Sequence, residues 1–220
     1  AVANQLGTSL TAVTFNANDA SELGKYGVDK VLNVSNTDGF NAKVYADVIK
    51  QAAATEGSKV VVVSSTSDST YLAPLLAVGL DAGYASNVVD APTSISPFTV
   101  KRTAFTNKAF SFTEINTEVK IVGVSNNSFG LVETSGNASM ESFSPSLASS
   151  DVKVESVDKA SDKVSIADAE IVVSAGRGLK GPENWEMIEE LAEVLGAATA
   201  CSKPVSDLGW RPHSEHVGQT

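Results

Sequence analysis

The sequence predicts an α/β protein of two domains: a Rossmann-like first domain with an antiparallel extension, then the start of a second, parallel α/β domain. Three observations predict it. Strand and helix patterns alternate over the first 83 residues, which is the rhythm of a parallel sheet. The segments Phe98–Phe105 and Ala109–Ile115 then alternate apolar with polar residues around a turn at Thr106-Asn107-Lys108, as a hairpin does. A fresh strand–turn–helix unit opens at Glu170.

The elements follow in order. Ala1–Leu6 reads as the last turns of a helix stopped by Gly7. Ser9–Phe15 is rich in β-branched residues and reads as a strand. A helix is expected from the capping candidates Asn18 and Asp19 to Gly27. Val31–Val34 is a second strand, and Asn41–Ala54 a helix with Val44, Val48, Ile49 and Ala52 on one face. Lys59–Ser64 does not alternate, so it is expected to be a strand buried on both faces. Thr70–Ala82 is the next helix, with Gly83 at its end. Val119–Val124 is a strand closing a block of antiparallel or mixed character. Glu133–Asp151 is dominated by Ser, Gly, Asn and Ala and reads as a loop. Val152–Val157 is extended, and the polar stretch Lys159–Asp168 connects the domains, placed at 1–165 and 166–220.

Composition narrows the function. The chain has 220 residues, 42% hydrophobic, with a formal net charge of −10. That acidity argues against general binding to nucleic acid, whose phosphates need a basic surface. No apolar run is long enough to span a membrane. One cysteine, Cys201, gives no internal disulfide and fits a reducing compartment; with no leader visible, a cytoplasmic location is expected. One cysteine and two histidines make a conventional zinc site a poor expectation. No initiator Met is present, and Gly218-Gln219-Thr220 halts within a loop, so the polypeptide is expected to continue at both ends.

The most telling stretch is Gly176-Arg177-Gly178-Leu179-Lys180-Gly181. A buried strand, Glu170–Ser174, precedes it, and an amphipathic helix, Pro182–Leu195, follows with Trp185, Ile188, Leu191, Ala192 and Leu195 on one face. Glycine turns in that setting bring backbone N–H groups to phosphate. The plain alternative is a tight turn needing positive φ at glycine; the setting and the two cations favour phosphate. A nicotinamide dinucleotide would also want an acidic residue about 20 positions on, at the end of the next strand. Here that strand, Ala197–Ala200, leads into Cys201-Ser202-Lys203-Pro204, and no carboxylate appears before Asp207. Glu183 and Glu186 would repel a pyrophosphate at the helix tip, so Arg177 and the glycine amides are the expected phosphate contacts. Ser202 and Lys203 should face the same crevice, beyond the carboxyl end of a parallel strand. Trp185 and Cys201 read as packing residues. His213 and His216 read as ordinary loop histidines.

These residues resemble the alpha subunit of the electron-transfer flavoproteins. The matching points, in order, are Gly176-Arg177-Gly178, Glu183-Asn184-Trp185, Leu195-Gly196-Ala197-Ala198, Ser202-Lys203, Asp207, Gly209-Trp210 and Val217-Gly218-Gln219-Thr220. Lys25–Val31 and the Lys101–Phe112 hairpin are similar to the family's first domain, so the likeness covers the whole chain. It implies a second domain that binds FAD, and a heterodimer with a beta subunit. It implies an electron carrier and no catalytic residue: electrons come from acyl-CoA and related flavin dehydrogenases, as in fatty-acid β-oxidation, and pass to a membrane quinone oxidoreductase. Arg177, Ser202, Lys203, Val217, Gly218, Gln219 and Thr220 are the implied flavin contacts, with Thr220 near the reactive edge of the ring. Lys203 stands where the family commonly has arginine; lysine keeps the charge but loses the planar fork. The first strand is expected before Ala1 and the rest of the flavin site beyond Thr220. Two other readings remain: a nicotinamide-dependent oxidoreductase using the Gly176–Gly181 turn, and a non-catalytic nucleotide-binding assembly module.

Overall fold

The computed structural model describes residues 1–152, 154–156, 164–166 and 169–218. They form a mixed α/β structure in two compact units, Ala1–Glu155 and Ser156–Thr220.

The first unit opens with α1 (Val2–Leu6), ended by Gly7 at φ 63°. Strands β1 (Thr11–Phe15) and β2 (Lys30–Val34) pair in parallel. Between them the expected helix is a six-residue 3-10 helix, Ser21–Tyr26. Asp19 accepts the Ser21 N–H at 2.8 Å, and the carboxylate spent on that tight local turn leaves no N-cap for a longer helix. Helix α2 (Ala42–Glu56) is capped by the Asn41 side chain, which accepts the N–H groups of Lys43 and Val44. Strand β3 (Val60–Ser64) leads to α3 (Ser67–Gly79), which begins before Thr70 because Thr66 caps it by accepting the Ser69 N–H.

Gly83 does not stop that helix; it opens β4 (Gly83–Val88). Its N–H donates to Thr117 Oγ1 at 2.7 Å, and a Cβ there would collide with Ile115. Strands β5 (Ser94–Ile95), β6 (Phe98–Ala104) and β7 (Ala109–Glu114) are antiparallel, with β6 and β7 forming the expected hairpin. Strand β8 (Lys120–Val124) instead inserts between β3 and β4, parallel to both. The sheet order is β3-β8-β4-β6-β5, with β7 on β6. The stretch read as a loop contains β9 (Ser139–Ser142), parallel to β2. Backbone pairing holds it, since Met140 is its only large apolar residue. None of the described residues of 152–157 is in a strand; Lys153, Val157 and most of the connector at 159–168 lie outside the described residues.

Strand β1 ends the sheet β1-β2-β9, and β3 ends the six-stranded sheet. A cavity of about 850 Å3 lies against both strands, closed by α1 and by residues 124–129. Strand β3 is therefore not buried on both faces: it is an edge strand with Val62 45% exposed.

In the second unit β10 (Val172–Ala175) and β11 (Ala198–Cys201) are parallel, Ala175 opposite Cys201. The expected Pro182–Leu195 helix divides into a 3-10 turn, Pro182–Asn184, and α4 (Glu186–Leu195), closed by Gly196 at φ 62°. Trp185, Cys201 and Val205 form the core, with Ile188, Leu179 and Trp210 against it. Leu191 and Leu195 are exposed. After Cys201 the chain forms the short helix α5 (Lys203–Asp207), with Pro204 in its first turn.

Candidate functional site

The ends of β10 and β11 bring Gly176 and Ser202 side by side. The Ser202 N–H donates to the Ala175 carbonyl at 3.0 Å, and a Cβ on Gly176 would stand 3.6 Å from Ser202 Oγ. The chain then turns through a 3-10 segment, Arg177–Leu179. None of the motif's three glycines has positive φ; Lys180 takes the left-handed position at φ 67°. The plain reading of glycines kept for positive φ is thereby corrected. Gly178 has open space where a side chain would stand, and Gly181 meets the Glu183 carboxylate. The Asn184 amide donates to the Leu179 carbonyl at 2.8 Å and stitches this turn to the next.

On the other side of β11, residues 213–218 return to the strand end. His216 bridges Cys201 in parallel fashion, and the Val217 N–H donates to the Cys201 carbonyl at 3.0 Å. Gly218 follows at φ 101°, a conformation that L side chains rarely adopt. Gly176, Ser202 and Val217 thus line three adjacent chain ends, with Arg177 and Lys203 on the next residue of two of them. Arg177 is exposed and, among the described residues, makes no ion pair; Lys203 is exposed. Gln219 and Thr220 lie outside the described residues.

The donor set suits a dinucleotide: one guanidinium, one ammonium, a serine hydroxyl and the N–H groups of a tight turn, at the carboxyl edge of a parallel sheet. His216 Nε2 is a buried nitrogen without a hydrogen-bond partner, as is Trp185 Nε1. Cys201 is buried; burial and the Glu215 carboxylate push its thiol pKa up, with Arg211 opposing. It packs in the core of this unit. At the end of β11, where a nicotinamide site would want a carboxylate, the residues are Cys201 and Ser202. Among the described residues no group of three or more His, Cys, Asp and Glu side chains could hold a metal ion, and no helix is long and apolar enough to cross a membrane.

Residues 1–160 match the family model described as electron transfer flavoprotein domain, and residues 165–220 match the electron transfer flavoprotein FAD-binding domain. The chain belongs to the electron transfer flavoprotein alpha-subunit family. It is 31% identical over 207 residues to the electron transfer flavoprotein subunit alpha of Bacillus subtilis, covering 91% of this chain and 63% of that protein. It is 30% identical over 226 residues to the subunit alpha of Syntrophomonas wolfei, covering 99% and 71%. It is 29% identical over 230 residues to Protein FixB of Clostridium saccharobutylicum, covering 100% and 69%. The chain thus spans roughly two thirds of the length of these relatives.

Sequence reasoning missed one group beside this edge. The Arg211 guanidinium donates from Nε and NH2 to both Glu215 oxygens, at 2.7 and 2.6 Å, and from NH1 to Glu189 at 3.0 Å. It lies 5.4 Å from the Trp185 ring centre, and the Glu215 carboxylate holds its pKa up. The spacing of Arg211 and Glu215 by four residues was the available signal. The proline between them hid it, because it breaks a helical reading.

Proposed function

We propose that this chain is the FAD-holding part of an electron transfer flavoprotein alpha subunit, with the change of domain at residue 165. The supporting observation is the convergence of the β10 end, the β11 end and residues 216–218 on one edge, with the exposed cations Arg177 and Lys203 beside it. Arg177 and the glycine amides of the turn hold the pyrophosphate through charge-assisted hydrogen bonds. Ser202, Lys203, Val217 and Gly218 hold the flavin portion; Gln219 and Thr220 join them on the strength of the sequence match alone. Bound FAD supplies reversible electron storage, while the protein binds, orients and tunes it. Lys203 places a positive charge at the β11 end. That charge favours added negative charge nearby, with a looser hold than a guanidinium would give.

In this reading the chain pairs with a beta subunit, accepts electrons from acyl-CoA and related flavin dehydrogenases, passes them to a quinone oxidoreductase, and works in the cytoplasm. The test is a visible-absorbance titration with FAD of the complete natural polypeptide together with its beta subunit. Flavin bands with one FAD per heterodimer are expected, and Arg177→Ala should weaken binding about tenfold or more, as loss of a charge-assisted hydrogen bond does. A complex that stays colourless through the titration would end the proposal.

A further inference from the structure

The Arg211 cluster is not explained by stability. Its arginine and Glu215 side chains are only 16% and 14% exposed, and Glu189 is 44% exposed. Removing such charges from water costs about as much as their attraction returns. What the cluster does accomplish is geometric. Arg211 lies across Trp185 in the core, reaches back to Glu189 on α4, and grips Glu215 in the turn that precedes Val217.

The connection it governs is held to α5 and β11 by other groups, and to α4 by Arg211. From Leu208 to Val217 the backbone turns through Gly209 at φ 72° and past Pro212. Its other anchors among the described residues are backbone hydrogen bonds, Leu208 N–H to Pro204, Gly209 N–H to Ser206, Trp210 N–H to Val205, Glu215 N–H to Pro212, His216 N–H to His213 and Val217 N–H to Cys201, with the His216–Cys201 bridge and Trp210 packed against the core. Those bonds shape the turn but do not tie it to α4. The bidentate fork fixes both distance and plane, and it does so one residue before His216 meets the strand end.

We infer that Arg211, gripped by Glu215 and Glu189, is a positioning residue: it sets where Val217 and Gly218 stand against the end of β11, and through them how FAD is held. This rests on the function proposed above. The hydrogen bonds of Arg211 go to Glu215 and Glu189. It acts through Glu215, and buried ion pairs whose use is to select one conformation have precedent in other folds.

The experiment uses the complete natural polypeptide with its beta subunit, carrying Arg211→Met, Arg211→Lys, Glu215→Gln or, as control, Arg177→Ala. The readouts are the FAD dissociation rate, the position and shape of the bound flavin's visible bands, and the melting temperature of the apoprotein. Arg211→Met should release FAD about tenfold faster, the scale of effect expected when a contact is misplaced by a fraction of an ångström. It should shift the visible bands and leave the apoprotein melting within a few degrees. Arg211→Lys should recover part of the loss, since it keeps the charge without the fork. Release within twofold and unchanged bands in both Arg211→Met and Glu215→Gln overturn the inference. If Arg177→Ala weakens FAD binding at the same time, the proposed site stands without the clamp. If Arg177→Ala is also silent, the site itself is wrong. A large loss of apoprotein melting temperature in both Arg211→Met and Glu215→Gln makes the cluster a stability element and equally overturns the inference.

Discussion

Trp185 decides whether the second unit can present its strand ends at all. The side chain is 3% exposed and sits against Cys201 and Val205 beneath the candidate site. A buried aromatic of this size removes about 150–250 Å2 from water, which at roughly 25 cal/mol per Å2 is about 4–6 kcal/mol. Against this, its Nε1–H has no partner, and an unsatisfied buried donor costs about 1–3 kcal/mol. Trp185→Ala loses the area and leaves a cavity, about 3–5 kcal/mol. That equals the whole stability a core can give a unit this small, about 3–5 kcal/mol. Trp185→Phe loses about one ring's worth of area but also removes the orphan donor, so the net change should be within about 1 kcal/mol, or roughly 4–8 °C in melting temperature. Hydrogen exchange of the Val172–Ala175 and Ala198–Cys201 amides, read by mass spectrometry, measures this directly. Trp210 remains as a fluorescent reporter, since the chain has two tryptophans. Trp185→Ala should expose both strands, and Trp185→Phe should not. Equal damage from the two substitutions would refute the reasoning, because it would mean the indole N–H is satisfied and the full ring is required.

Other outcomes follow from the first unit. A Cβ on Gly24 would land in the backbone of Asn137 and Ala138, where no side chain can rotate away. Gly24→Ala should therefore cost about 2–4 kcal/mol, a drop of roughly 5–15 °C in the thermal melt, whereas Gly39→Ala, with nothing near it, should be almost silent. Glu56 accepts from Lys30 Nζ at 2.7 Å and Thr11 Oγ1 at 3.1 Å, and the Lys30 hydrogen bond foremost lowers its pKa in spite of burial. A carboxylate with a depressed folded pKa stabilises above its unfolded value, about 4.3, and that stability disappears as pH falls through the folded value. Acid titration of Glu56→Gln should show a shallower loss of stability below about pH 4.3 than the parent; an unchanged slope would remove the pair from the account.

Much of this molecule is legible in its sequence where local chemistry suffices. Asn41 marks the start of α2 because its amide oxygen can accept two backbone N–H groups, and Gly196 marks a stop because the left-handed conformation is open to it. The Gly176–Gly181 turn between strand and helix, and the family resemblance it carries, come from residue order alone. What escaped is held by distant partners. Strands β4 and β9 have few large apolar residues and exist because β8 and β2 offer them backbone hydrogen bonds. The insertion of β8 between β3 and β4, the exposure of Val62 and the Arg211–Glu215–Glu189 cluster are likewise beyond local pattern. Residue order by itself determined that helices lie at α2 and α4 and which turn carries the cations, because caps and turns are decided within a few bonds of themselves. Tertiary structure alone decided which strands became neighbours and which charges met, because pairing and ion contact depend on groups that the chain brings together only when it folds.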